Sequence, residues 1–168
     1  MQNKAKTLAL CSAMLCAALA LSYLEALLPL PLPLPGVKLG LANCVILLLL
    51  LIYPAGYAFA VSACRVLLSF LLFGNPTALM LSAAGGILSF LAMLLLKRAK
   101  KLSPVGISVG GAASHIVGQI AVSLLLVGGG ALYYLPYLLL ISILTGILNG
   151  FIVIFILKSL KEKKHIAK

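Results

Sequence analysis

Arg65 is the arginine that lies inside an apolar run long enough to cross a bilayer, Ser62-Ala-Cys-Arg-Val-Leu-Leu-Ser-Phe-Leu-Leu-Phe-Gly-Asn75. An arginine at the centre of a membrane helix costs about 2.5–3.5 kcal/mol on insertion scales, so it faces a bundle interior or a water-filled cavity rather than lipid. Two readings stand open for it: a guanidinium that receives a substrate, or one that holds two helices together. The other polar groups within or beside apolar runs are Glu25, Asn43, Asn75, His115 and Gln119, with Asn149 further along. Glu25 is either a carboxylate reaching the headgroup region or a partner for Arg65 or for a substrate amine. His115 and Gln119 are four residues apart and share a helix face. Such a set can hold a polar ligand by hydrogen bonds and charge. Arg65, Asn43, His115, Gln119, Glu25 and Asn75 are the candidate substrate-binding residues, with Arg65 expected to take an acidic or carbonyl group.

The set is poorly suited to catalysis. The 168 residues include two acidic side chains, Glu25 and Glu162, and no aspartate. No Walker A sequence is present, so ATP hydrolysis in the usual way is excluded. No nucleophile triad or metal cluster can be assembled, and Cys11, Cys16, Cys44 and Cys64 form no CxxC pair. No enzymatic activity, cofactor or metal is expected.

The elements that must position these residues are membrane helices. The chain is 64% hydrophobic and 9% charged, which no soluble globular domain matches. The expected fold is all-α, one integral membrane domain over residues 1–168. Six spans are read at about 7–28, 39–53, 57–73, 77–96, 104–127 and 132–157. The amino-terminal run imitates a signal peptide, with Lys4 and Lys6 before it and Ala18-Leu-Ala20 within it, but it continues far enough to span. Pro29-Leu-Pro-Leu-Pro-Leu-Pro35 forbids a helix and predicts a stiff polyproline strap, either a connector or a lid. Tyr53-Pro-Ala-Gly56 and Gly74-Asn-Pro76 mark turns.

The net charge of +11 follows the positive-inside rule and not a nucleic-acid partner. With both termini cytoplasmic, Lys4, Lys6, the basic residues of 97–101 and the five tail lysines share the inner side. Lys38 then falls on the outer surface, Asn43 about one turn into the membrane, and Asn149 deep toward the cytoplasm. Small residues recur every four positions at Ala9, Ala13 and Ala17, at Gly106, Gly110, Ser114 and Gly118, and at Ser142, Gly146 and Gly150. Each series lets another helix approach closely.

Several motifs resemble those of the Gx transporter family, also labelled heptaprenyl diphosphate synthase component I. They are Pro35-Gly-Val-Lys-Leu-Gly-Leu-Ala-Asn43, Cys64-Arg-Val-Leu-Leu-Ser69, Leu72-Phe-Gly-Asn75, Ala84-Gly-Gly-Ile-Leu-Ser89, Gly110-Gly-Ala-Ala-Ser-His115 with Gly118-Gln119, and Tyr134-Leu-Pro136 with Thr145-Gly146. The resemblance spans nearly the whole chain. That family is in turn similar to the substrate-binding S components of energy-coupling factor transporters, six-helix proteins that bind a vitamin or precursor from outside. The resemblance implies docking on a transmembrane coupling subunit served by ATPases, with Ala9, Ala13 and Ala17 matching the small-residue docking face. Packing within the bundle is the alternative for that face. A synthase label fits the residues poorly, because prenyl diphosphate synthases hold magnesium on aspartate-rich motifs.

Overall fold

The computed structural model describes residues 2–27, 37–99 and 101–166. The polyproline strap at 29–35 lies outside the described residues. Within them the chain is all-helical, with no strand. The elements are α1 (Gln2–Leu27), α2 (Asn43–Ile52), α3 (Ala55–Phe73), α4 (Pro76–Arg98), α5 (Pro104–Val127), a 3-10 turn (Gly128–Tyr134) and α6 (Leu135–Ile166).

Three separate helices are long and apolar enough to cross a bilayer: α1 from Lys4, α3 and α4. The continuous helical stretch Pro104–Leu160, which contains α5 and most of α6, also qualifies. Large apolar side chains such as Leu71, Leu125, Tyr133 and Phe155 stand exposed on the bundle. In a bilayer they face lipid at no cost, and this is a multi-pass membrane protein.

The helix boundaries follow local chemistry. Pro54 stops α2 from continuing into α3, and Gly74 ends α3 in extended backbone. Asn75 caps α4 by accepting from Ala78 N at 2.7 Å, with Pro76 in the first turn. Ser103 caps α5 with Pro104 after it. Gly128, at φ 76°, ends α5 in a conformation that favours glycine. Residues 132–134, expected within the last span, belong instead to the 3-10 turn. At its far end α6 continues through the lysine-rich tail to Ile166, since Lys and Glu are good helix formers.

The second expected span departs most from expectation. Its helix begins at Asn43, not residue 39, and its 10 residues reach only about 15 Å, half a bilayer core. Residues 37–42 are non-helical, yet Val37, Lys38, Gly40 and Ala42 are buried. Gly40 sits at φ +85°, and a Cβ there would lie 2.8 Å from Asn43 Nδ2, so conformation and space both demand glycine. The chain enters the bundle non-helical over 37–40, turns at 41–42 and becomes helical at Asn43.

Depth along the neighbouring helices locates this break. The segment touches Asn149, fourteen residues along α6, and packs near His115, twelve residues from the end of α5. At about 1.5 Å per residue these lie about 18–21 Å below the Leu27 end of the bundle. Asn43 is therefore near mid-bundle and not one turn in, and Asn149 shares its level. Lys38, expected on the surface, is 7% exposed. The reason is common to Asn43 and Lys38: the non-helical segment carries the chain inward before α2 starts.

Candidate functional site

Irregular backbone at membrane depth is tolerated only where protein or cavity water satisfies its polar groups. Here side chains do so. The Gln119 amide is oriented so that Oε1 accepts from Lys38 N at 3.2 Å and from His115 Nε2 at 3.0 Å, while Nε2 donates to Lys38 O at 3.3 Å. One primary amide thus serves both backbone groups of Lys38, as a neighbouring strand would. Glu25 Oε1 accepts from Leu41 N at 2.7 Å. Asn149 Nδ2 donates to Gly40 O at 3.1 Å, and Thr145 Oγ1 donates to Leu39 O at 3.4 Å. Asn43 Nδ2 donates to Ser89 Oγ at 3.2 Å, fixing the first residue of α2 against α4.

Arg65 is 2% exposed, on the inner face of α3. Its Nη1 donates to Ser22 Oγ of α1 at 3.2 Å. Its Nε and Nη2 are buried without a hydrogen-bond partner, as are Glu25 Oε2, Ser82 Oγ and His115 Nδ1. The carboxylate and the guanidinium therefore do not bond one another. Glu25 nevertheless lies within electrostatic reach of both Arg65 and Lys38. Lys38 Nζ stands 5.6 Å from the Phe73 ring centroid, a cation–π position.

The glycine pair of α4 separates the two halves of this cluster. A Cβ on Gly85 would lie 2.8 Å from His115 Cε1, and one on Gly86 would lie 3.6 Å from Arg65 Nη2. The missing side chain at Gly85 gives His115 its room, whereas a Cβ at Gly86 would make only ordinary contact with Arg65. On the Leu27 side, Lys38, Ser69, Phe70, Gly74, Ala78 and Leu79 line a narrow crevice with no room for a water molecule. Between α3 and α4 an apolar groove of about 250 Å³ opens outward over Ser62, Val66 and Gly86.

Five of the expected binding residues, Arg65, Asn43, His115, Gln119 and Glu25, converge on this region. Asn75 does not join them; it is exposed and occupied in capping α4. Sequence reasoning left Lys38 and Ser22 out of the binding set, and Asn149, read as deep in the bundle, bonds to Gly40 O of the segment. The signal for Lys38 was present: Gly36-Val-Lys-Leu-Gly40 puts glycines on both sides of the lysine, a pattern that resists helix.

A family model described as heptaprenyl diphosphate synthase component I matches residues 14–156. The chain belongs to this family. No curated protein and no solved structure matches it. The matched range includes every residue of the buried cluster. Among the described residues no group of three or more His, Cys, Asp or Glu side chains is arranged to hold a metal ion. The uncommitted polar groups of the cluster include an arginine edge, a carboxylate oxygen and a lysine ammonium lying over an aromatic ring.

Proposed function

We propose that the chain is the substrate-binding membrane subunit of a small-molecule uptake transporter of the vitamin or precursor type. In this reading it crosses the plasma membrane six times with both termini cytoplasmic, and the broken second element completes its crossing as extended chain. The Leu27 end is the outer face, from which substrate enters. The subunit is not itself an enzyme, and any ATP hydrolysis belongs to partners. In this reading it works as the S components of energy-coupling factor transporters do, docking on a coupling subunit. The face proposed for that docking, Ala9, Ala13 and Ala17, is exposed along α1.

The observation that carries the reading is Arg65. A guanidinium held in a membrane bundle with two uncommitted donors is expensive unless something binds there. Glu25, Gln119 and Asn149 support the site indirectly, by fixing the extended segment that forms one wall. The family name favours a second reading, a membrane component in isoprenoid-quinone or flavin-linked redox metabolism. Neighbouring genes for a coupling subunit and ATPases favour the first; quinone or flavin-transfer genes favour the second.

Native mass spectrometry of the purified chain tests the reading. The wild type should retain a small molecule that Arg65→Leu loses, while the variant elutes as a folded species of equal or greater thermal stability. Removing an uncompensated buried charge is expected to help the fold. Retention equal to wild type, or an unfolded variant, makes the arginine structural.

A further inference from the structure

The donors of Arg65 are divided unevenly. Nη1 is committed to Ser22, while Nε and Nη2 are free. Those two N–H groups lie along the same edge of the guanidinium and point in parallel. This is the side-on fork that matches the two oxygens of a carboxylate or phosphate. A carbonyl or hydroxyl offers one oxygen to share between the two prongs and no charge, whereas an oxyanion gives each N–H its own oxygen. Glu25 does not fill the fork, because its Oε1 is taken by Leu41 N and its Oε2 has no partner.

The charges point the same way. Arg65, Lys38 and Glu25 lie within electrostatic reach of one another, two basic groups against one acidic group. His115 adjoins them and is bonded through Nε2 to Gln119. Lys38 is 7% exposed and lies over an aromatic ring, with no carboxylate bonded to it. An uncompensated buried charge is costly, and one anionic group would balance the set. The crevice lined by Lys38 and Ser69 lies one helical turn along α3 from Arg65, on the Leu27 side. Ser82, whose hydroxyl is also free, stands one turn before Gly86 on the α4 face opposite Arg65.

We propose that the substrate is an organic oxyanion, a carboxylate or phosphate, received side-on by Nε and Nη2 of Arg65, with Lys38 as the second cation of the set. This rests on the substrate-binding reading above and narrows it to a ligand class.

The test uses the full chain in detergent. Native mass spectrometry should identify a co-purified molecule bearing a carboxylate or phosphate. Arg65→Lys keeps the charge but has no fork, and should lose the molecule. Lys38→Met should weaken its retention, and Lys38→Arg should restore it. A measurement on the wild type alone guards against folding failure in the variants: esterifying the oxyanion of the identified molecule should abolish its rebinding. A bound molecule without an oxyanion, undiminished retention in folded Arg65→Lys, or rebinding of the ester overturns this proposal and leaves the binding subunit standing. If nothing co-purifies and neither inorganic phosphate nor acetate at millimolar concentration raises the melting temperature, both proposals fall.

Discussion

The α4–α5–α6 side of the bundle and the side built on α1 and residues 37–42 solve the same problem by opposite means. On the first, helices touch at backbone level. A Cβ on Gly118 would lie 2.7 Å from Ala84 O; on Gly146, 2.9 Å from Val109 Cα; on Gly150, 2.5 Å from Val105 Cα. Lipid is as apolar as leucine, so close packing replaces the hydrophobic effect as the adhesive. On the second side the chain abandons the helix for six residues. There the adhesive is side-chain amide, hydroxyl and carboxylate bonded to backbone. The difference shows in what each side leaves unpaired. The close-packed side leaves one hydroxyl, Ser82 Oγ, and one ring nitrogen, His115 Nδ1, without a partner, whereas the irregular side and the α3 helix beside it leave charged groups unspent, at Glu25 Oε2 and at Nε and Nη2 of Arg65.

The largest effect that would break this contrast lies on the smooth side. Gly118→Leu drives a side chain into the backbone of α4 at Ala84 and Gly85, and neither can rotate away. Overpacking costs about 1–3 kcal/mol when side chains can adjust, and backbone cannot. The variant should fail to yield monodisperse protein in gel filtration. A folded Gly118→Leu with an unchanged melting temperature would mean that α4 and α5 are not clamped together.

The smooth side was legible in the sequence, because a four-residue recurrence of Gly and Ser translates directly into a helix face. Gly118, Gly146 and Gly150 were each placed at a close approach, and each is at one. The helix ends marked by proline, asparagine and glycine were also readable, as at Pro54, Asn75 and Ser103. The extended segment was not. Residues 39–53 are almost uniformly apolar, and hydropathy reports burial without telling helix from buried strand-like chain. Lys38 and Asn43 lie deeper than expected for that one reason, since the second helix starts four residues later than the expected span. The convergence of Glu25 on Leu41 could not be read at all, because it depends on that segment's path.

An intermediate effect sharpens the contrast from the irregular side. Gln119→Leu is close in size, so packing changes little, but both backbone groups of Lys38 lose their partner. Each buried group left unpaired costs about 1–3 kcal/mol. The melting temperature should fall clearly, while Gln119→Glu, which keeps an acceptor for Lys38 N, should fall less. If Gln119→Leu proves as stable as wild type, the segment is held by packing, and the polar side chains around it are free for a ligand.

The smallest effect on the fold belongs to α1. Its face carrying Ala9, Ser12, Ala13, Cys16 and Ala17 is exposed, whereas Cys11, Ala18, Ser22 and Glu25 face inward. Ala13→Leu therefore exchanges one apolar contact with lipid for another and should change stability by no more than about 0.5 kcal/mol, as exposed substitutions usually do. Its consequence should appear elsewhere. Small residues four apart let a partner helix approach to backbone distance, and a leucine between Ala9 and Ala17 would hold it off. Co-purification with a coupling subunit should be lost while the isolated chain keeps its bound small molecule. Were Ala13→Leu to lower the melting temperature as Gln119→Leu does, α1 would be packed on both faces, and the surface offered to a partner would have to be sought on another helix.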